Sequence, residues 1–185
     1  MRKARNSKII PTNWYIITGG PCSGKTKVIN HLAFLGYFII PSPSRFLIDL
    51  ERSKGFSTKD IRKSEANFQK RVLRIKVKLE NRIPVTHLAF FERGMPDSIA
   101  YYKNCKLNPE PAIKASLRRR YKGVFLLDIL PFEKDYARLE NAKLAHLLHK
   151  LIQDSYKNLG YNVIRVPVES IDKRVKFILN KITGF

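Results

Sequence analysis

Gly19-Gly20-Pro21-Cys22-Ser23-Gly24-Lys25-Thr26 fills the pattern G-x-x-x-x-G-K-[ST] and follows directly on the apolar run Trp14-Tyr15-Ile16-Ile17. Strand, glycine-rich turn and helix is the context in which this pattern carries chemistry. Glycines let backbone N–H groups close around phosphate oxygens, and the helix that follows turns its positive end toward them. Gly19, Gly20, Pro21, Cys22, Ser23 and Gly24 therefore read as the cradle of a nucleoside triphosphate. Within it, Lys25 reaches the β and γ phosphates and the Thr26 hydroxyl ligates Mg²⁺.

Composition bounds what surrounds this loop. The 185 residues, 44% of them hydrophobic, suit one domain with a substantial core. Residues 1–13 read as a basic N-terminal arm and 14–185 as a single domain, with no linker or internal repeat between. No run approaches the roughly 18 apolar residues of a transmembrane segment. Two cysteines, Cys22 and Cys105, are too few for a disulfide framework and point to a reducing, cytoplasmic setting. Thirty-six Lys and Arg against fifteen Asp and Glu give a net charge of +21, and no acid precedes Asp49. A field of that size attracts polyanions, namely nucleotides, nucleic acid or anionic lipid; solvated basic faces are the bland alternative.

Strand and helix signals alternate along the chain, the pattern of a parallel sheet flanked by helices. Strands are expected at 14–18, 37–40, 85–91, 123–127 and 162–166. Helices are expected at 24–35, 45–52, from Ser57 to about Leu79, from Pro96 to about Lys103, and at 111–120, 140–159 and 170–182. Ser57-Thr58-Lys59-Asp60 resembles a capping box, and the helix behind it carries a basic surface that includes Arg62, Lys70 and Arg74.

In such a sheet ligands bind beyond the carboxyl ends of the strands. The 85–91 strand delivers Glu92 and Arg93 there. Glu92 suits the carboxylate on the Mg²⁺ side, and Arg93 a two-pronged contact with substrate phosphate or carboxylate. Asp97 starts the next helix, either as a substrate contact or as a cap for backbone donors, and Tyr101 and Tyr102 are candidate walls of a substrate pocket. Residues 128–140 carry mixed charge where a lid would close, with Arg138 placed to neutralise the moving phosphoryl group.

Three stretches narrow the reading: Gly-Gly-Pro-x-Ser-Gly-Lys-Thr at 19–26, Phe-x-Arg-Gly-x-Pro-Asp-Ser-x-Ala-Tyr-Tyr at 91–102, and Arg-Tyr-x-x-Val-Phe-Leu-Leu at 120–127. Together with Asp135-x-x-Arg138-x-Glu140 and Leu159-Gly160-Tyr161, they resemble the AAA-type predicted ATPase family, which is related to the ribosylnicotinamide kinase domain of NadR. The resemblance implies an α/β P-loop NTPase fold, a three-layer sandwich with a five-stranded parallel sheet. It further implies a kinase-like NTPase that uses Mg²⁺ and ATP, with GTP as the alternative, on a small nucleoside- or ribosyl-type acceptor. Lys25, Glu92 and Arg138 would be catalytic, Thr26 and Glu92 would hold the metal, and Arg45, Arg93 and Asp97 would hold the acceptor.

The chain departs from the family pattern at two places. Glu92 stands where Asp is usual, and Pro41-Ser42-Pro43-Ser44-Arg45 keeps the proline and arginine of Pro-Glu-x-x-Arg but loses its acid. An acid there would serve as base for an acceptor hydroxyl, a role Ser42 cannot fill; Asp49 and Asp97 are the candidate substitutes. The loss also favours a second reading, a slow nucleotide-gated protein that docks on anionic lipid or nucleic acid.

Overall fold

Trp14 and Ile16 face one side of their strand, Tyr15 and Ile17 the other, and all four are buried. A strand apolar on both faces belongs inside a parallel sheet covered by helices on both sides. The computed structural model, which describes residues 9–130 and 141–183, has that arrangement. In chain order the elements are β1 (Ile10–Pro11), β2 (Trp14–Thr18), α1 (Lys25–Phe34), β3 (Ile39–Ile40), α2 (Pro43–Arg52), α3 (Thr58–Ile61) and α4 (Glu65–Glu80). There follow β4 (Ala89–Glu92), α5 (Met95–Asn104), α6 (Glu110–Ser116), β5 (Arg119–Arg120), β6 (Gly123–Leu127), α7 (Ala142–Lys157), β7 (Val163–Val166) and α8 (Ile171–Ile182).

The main sheet runs β3-β4-β2-β6-β7, five strands, all parallel. One core joins Trp14, Ile16, Phe91 and Leu126 to Ile152 and Tyr156 of α7 and Ala100 of α5. The opposite face joins Tyr15, Ile17, Phe90 and Phe125 to Val28 and Leu32 of α1 and Val175 and Ile178 of α8. The register sets Ile17 beside Glu92 on one flank and beside Phe125 on the other. The loop that leaves β2 therefore emerges level with the end of β4, which is what positions the site.

Several boundaries differ from expectation for local reasons. Val85–Leu88 is not strand: Val85 gives its carbonyl to the Asn13 amide at 2.7 Å, and a turn closes from His87 N to Pro84 O at 3.0 Å. The single helix expected from Ser57 is two. Ser57 and Asp60 form the capping box of α3, and Ser64 caps α4 separately. The Arg62 guanidinium forks onto the first-turn acid Glu65 at 2.7 and 2.9 Å across that break. The 111–120 helix stops at Ser116, because Arg119–Arg120 pair in parallel with Ile10–Pro11. Within the expected 1–13 arm, Ile10 and Thr12 donate backbone hydrogen bonds to Arg118 and Arg120. Residues 1–8 of the expected arm lie outside the described residues.

Candidate phosphate and acceptor site

Beyond the carboxyl ends of β2 and β4 lies a cavity of ≈ 380 Å³. Its walls draw on the 21–27 loop, the start of α2, the inner face of α4 and the β4–α5 junction. Among the residues expected at a site, Pro21, Cys22, Gly24, Lys25, Thr26, Arg45, Glu92, Arg93 and Tyr101 line it. Gly19, Gly20 and Ser23 lie behind it as the buried base of the loop.

The loop is held from three directions. Lys25 folds back along it, donating to Gly20 O at 2.6 Å and Ser23 Oγ at 3.0 Å. Gly20 presses against α7: its amide donates to His149 Nδ1 at 3.2 Å, and a Cβ there would stand 2.7 Å from Ala145 O. Burial holds the pKa of His149 below its ordinary value, which keeps Nδ1 available as an acceptor. Arg174 of α8, only 2% exposed, donates to three backbone carbonyls: Ser23 at 2.7 Å, Pro167 at 2.8 Å and Asp128 at 3.0 Å. One guanidinium thus ties the loop to the ends of β6 and β7.

Thr26 Oγ1 donates to Glu92 Oε1 at 3.0 Å. The second oxygen, Glu92 Oε2, is buried with no hydrogen-bond partner among the described residues. A buried carboxylate oxygen without a donor is costly unless a cation meets it, so hydroxyl and orphan oxygen together fit a hard divalent ion such as Mg²⁺. Among the described residues no group of three His, Cys, Asp or Glu could hold a metal. An ion at this place would draw its remaining ligands from phosphate and water.

Arg93 adopts φ +70°, unusual for a residue with a Cβ. Its amide is anchored to Ile17 O at 3.1 Å, and its guanidinium pairs with Asp97 at 2.9 Å over the Tyr101 ring. Asp97 itself is sealed, fully buried and accepting from Thr18 Oγ1 at 2.6 Å, Arg93 at 2.9 Å, the Gly94 amide at 3.0 Å and Tyr156 Oη at 2.6 Å. The expectation that Asp97 touches substrate is corrected, because its acceptor capacity is taken up inside the protein. Asp49 is exposed on α2 away from the cavity, so neither candidate substitute for the missing acid reaches it. Ser42 is occupied as the N-cap of α2, bonded to Ser44 Oγ at 2.9 Å. Tyr102 packs instead with Met95 and Ile99 in a separate core. Arg138 lies outside the described residues.

The sequence reading did not single out Lys76. It is buried on α4, donates to Gly94 O at 2.7 Å and Ser98 Oγ at 3.1 Å, and forms part of the cavity wall. Behind it Tyr121 Oη donates to Glu80 Oε1 at 2.6 Å and accepts from the Met95 amide at 2.9 Å. Gly94 makes room for these rings, since a Cβ there would lie 2.7 Å from Tyr156 Oη. A lysine at helical spacing among solvated ones carries no signal of burial; the turn after Glu92 that covers it would have been the clue.

A family profile described as AAA domain matches residues 14–174. No curated protein matches the chain in sequence. Among solved structures, a deoxyadenosine kinase from M. mycoides is similar at TM-score 0.66 and 16% identity, over 93% of this chain and 100% of that one. NadR in complex with NR is similar at TM-score 0.69 and 15% identity, over 94% of this chain and 51% of NadR. Shikimate kinase from Aquifex aeolicus is similar at TM-score 0.55 and 19% identity, over 92% and 96%. This chain thus spans all of the first and about half of the second.

Proposed function

The chain belongs to the AAA domain family, in a P-loop kinase-like fold, and from that premise we propose that it binds ATP with Mg²⁺ and transfers the γ-phosphoryl group to a small acceptor of nucleoside or ribosyl type. The observation that carries the reading is the Thr26–Glu92 pair, its buried Oε2 without a donor among the described residues, set beside the Gly24-Lys25-Thr26 turn on a shared cavity. Backbone amides of residues 19–26 would cradle the phosphates, and Lys25 would leave Gly20 O and Ser23 Oγ to meet them. Thr26 and Glu92 would hold Mg²⁺, which when bound offsets charge on the β and γ phosphates. Arg93, fixed by Asp97, and Arg45, at the start of α2, line the same cavity and would hold the acceptor. Transfer through a loose transition state depends chiefly on such positioning and charge.

Calorimetric titration tests this. Lys25→Ala is expected to weaken Mg²⁺-ATP binding at least about tenfold with the helical circular dichroism retained. Glu92→Gln is expected to leave metal-free ATP binding in place and abolish its enhancement by Mg²⁺. Unchanged Mg²⁺-ATP affinity in Lys25→Ala would sink the reading.

A further inference from the structure

The described lining of the cavity is strongly cationic. Arg45, Arg62, Lys76 and Arg93 line it, and among the described residues the one carboxylate on its wall is Glu92, bonded to Thr26. Arg62 and Arg93 have acidic partners in Glu65 and Asp97. Among the described residues Lys76 bonds a carbonyl and a hydroxyl, two partners for three N–H bonds. Arg93 gives Asp97 a hydrogen bond through one nitrogen, so most of its fork remains. Ser42, also on the wall, is taken up as the cap of α2.

A hydroxyl acceptor needs a group to take its proton; a phosphate oxygen is already ionised at neutral pH, with a second pKa near about 6. A lining this cationic suits the second kind of nucleophile. Ile48, Phe68, Val72 and the Tyr101 ring add apolar surface to the same cavity, against which a planar base could pack.

We propose that the acceptor is a nucleoside monophosphate, its phosphate gripped by Lys76 and Arg93 and its base laid on the Phe68–Tyr101 wall. An oxygen of the acceptor phosphate attacks the γ-phosphorus of ATP, the bond from that phosphorus to the β–γ bridging oxygen breaks, and the electron pair leaves with ADP. The products are ADP and a nucleoside diphosphate, with no proton removed from the acceptor. This inference rests on the ATP- and Mg²⁺-dependent kinase reading above and narrows its nucleoside-type acceptor to one whose own phosphate is the nucleophile.

The test measures ADP release and, by chromatography, the phosphorylated product, with Mg²⁺-ATP and one of three acceptor sets: the common nucleoside monophosphates, the matching nucleosides, or ribose 5-phosphate. Diphosphate formation from at least one monophosphate, at kcat/KM at least tenfold above its nucleoside and ribose 5-phosphate, is expected. The rate should fall below about pH 6, with the acceptor's own phosphate ionisation. Lys76→Met should raise the monophosphate KM tenfold or more while ATP affinity stays within twofold; Arg93→Gln serves the same purpose if Lys76→Met fails to fold. Nucleosides or ribose 5-phosphate accepted as well as the monophosphates would overturn the proposal, as would no turnover of any monophosphate by protein that binds Mg²⁺-ATP. Loss of Mg²⁺-ATP binding itself would strike the kinase reading instead, so the two failures are told apart by the titration.

Discussion

Glu80 and Lys76 are buried titratable groups one helical turn apart on α4, and their settings pull their ionisation together. Burial, against the Tyr121 hydrogen bond and the Lys76 charge, raises the Glu80 carboxyl from 4.5 to about 7. Burial, against the attraction of Asp97, lowers the Lys76 ammonium from 10.5 to about 8. From about pH 4.5 to 7 the native state keeps a proton on Glu80 that the unfolded chain has released, so stability falls as pH rises through that window. From about pH 8 to 10.5 the unfolded chain holds a proton that native Lys76 has lost, so stability climbs again. Thermal unfolding against pH is therefore expected to show a shallow minimum between 7 and 8. Glu80→Gln should flatten the acid-side limb, a difference of about 1–3 kcal/mol across it. An identical limb in the variant would remove Glu80 as its cause.

Residues also show where reading a sequence stops. Lys25, Thr26, Glu92 and Arg93 were legible because a motif and a strand end carry them to one place. Asp97 was legible only as two alternatives, since a first-turn acid looks the same whether it caps, pairs or binds; the four donors around it decide for the interior role. Lys76 and Arg174 were silent because what makes them unusual is their burial against backbone carbonyls of distant segments, which no local pattern records.

At the level of elements, the loop depends on helices that follow it by more than a hundred residues. α7 supplies Ala145 and His149 beneath Gly20, and α8 supplies Arg174 beneath Ser23. Gly20→Ala would place a methyl 2.7 Å from Ala145 O and 2.9 Å from His149 Cβ, forcing α7 away from the loop. Overpacking of this kind costs about 1–3 kcal/mol. The variant should show that loss in urea denaturation and bind Mg²⁺-ATP at least tenfold more weakly; normal stability and affinity would mean that α7 does not brace the loop. Apolar runs made β2, β6 and β7 readable nearly to the residue, while α3 and α4 were merged, because helical spacing on both sides of Ser64 conceals a second cap.

Over the whole molecule, 36 basic residues face 15 acidic ones, and the cavity shares that imbalance. Exposed charges act over about 10 Å at 0.1 M salt and about 3 Å at 1 M. The association rate of a fluorescent ATP analogue, followed by stopped flow, is therefore expected to drop about tenfold between 50 mM and 500 mM salt, with the dissociation rate changing less. A flat association rate would show that the surplus does not steer nucleotide. No described helix is long and apolar enough to cross a membrane, as the hydropathy of the chain implied.

The strand at the middle of the sheet is the first of the five to be made. β2 pairs with β4, which ends at Glu92, and with β6, which ends at Leu127. As the chain leaves the ribosome, a run of five buried residues waits with both hydrogen-bonding edges bare until β4 has emerged, and with one edge bare until β6 has followed, more than a hundred residues on. Vectorial synthesis thus leaves the future phosphate loop tethered to an unpaired segment that needs shielding, and nucleotide has nothing to grip until the centre of the sheet closes behind it.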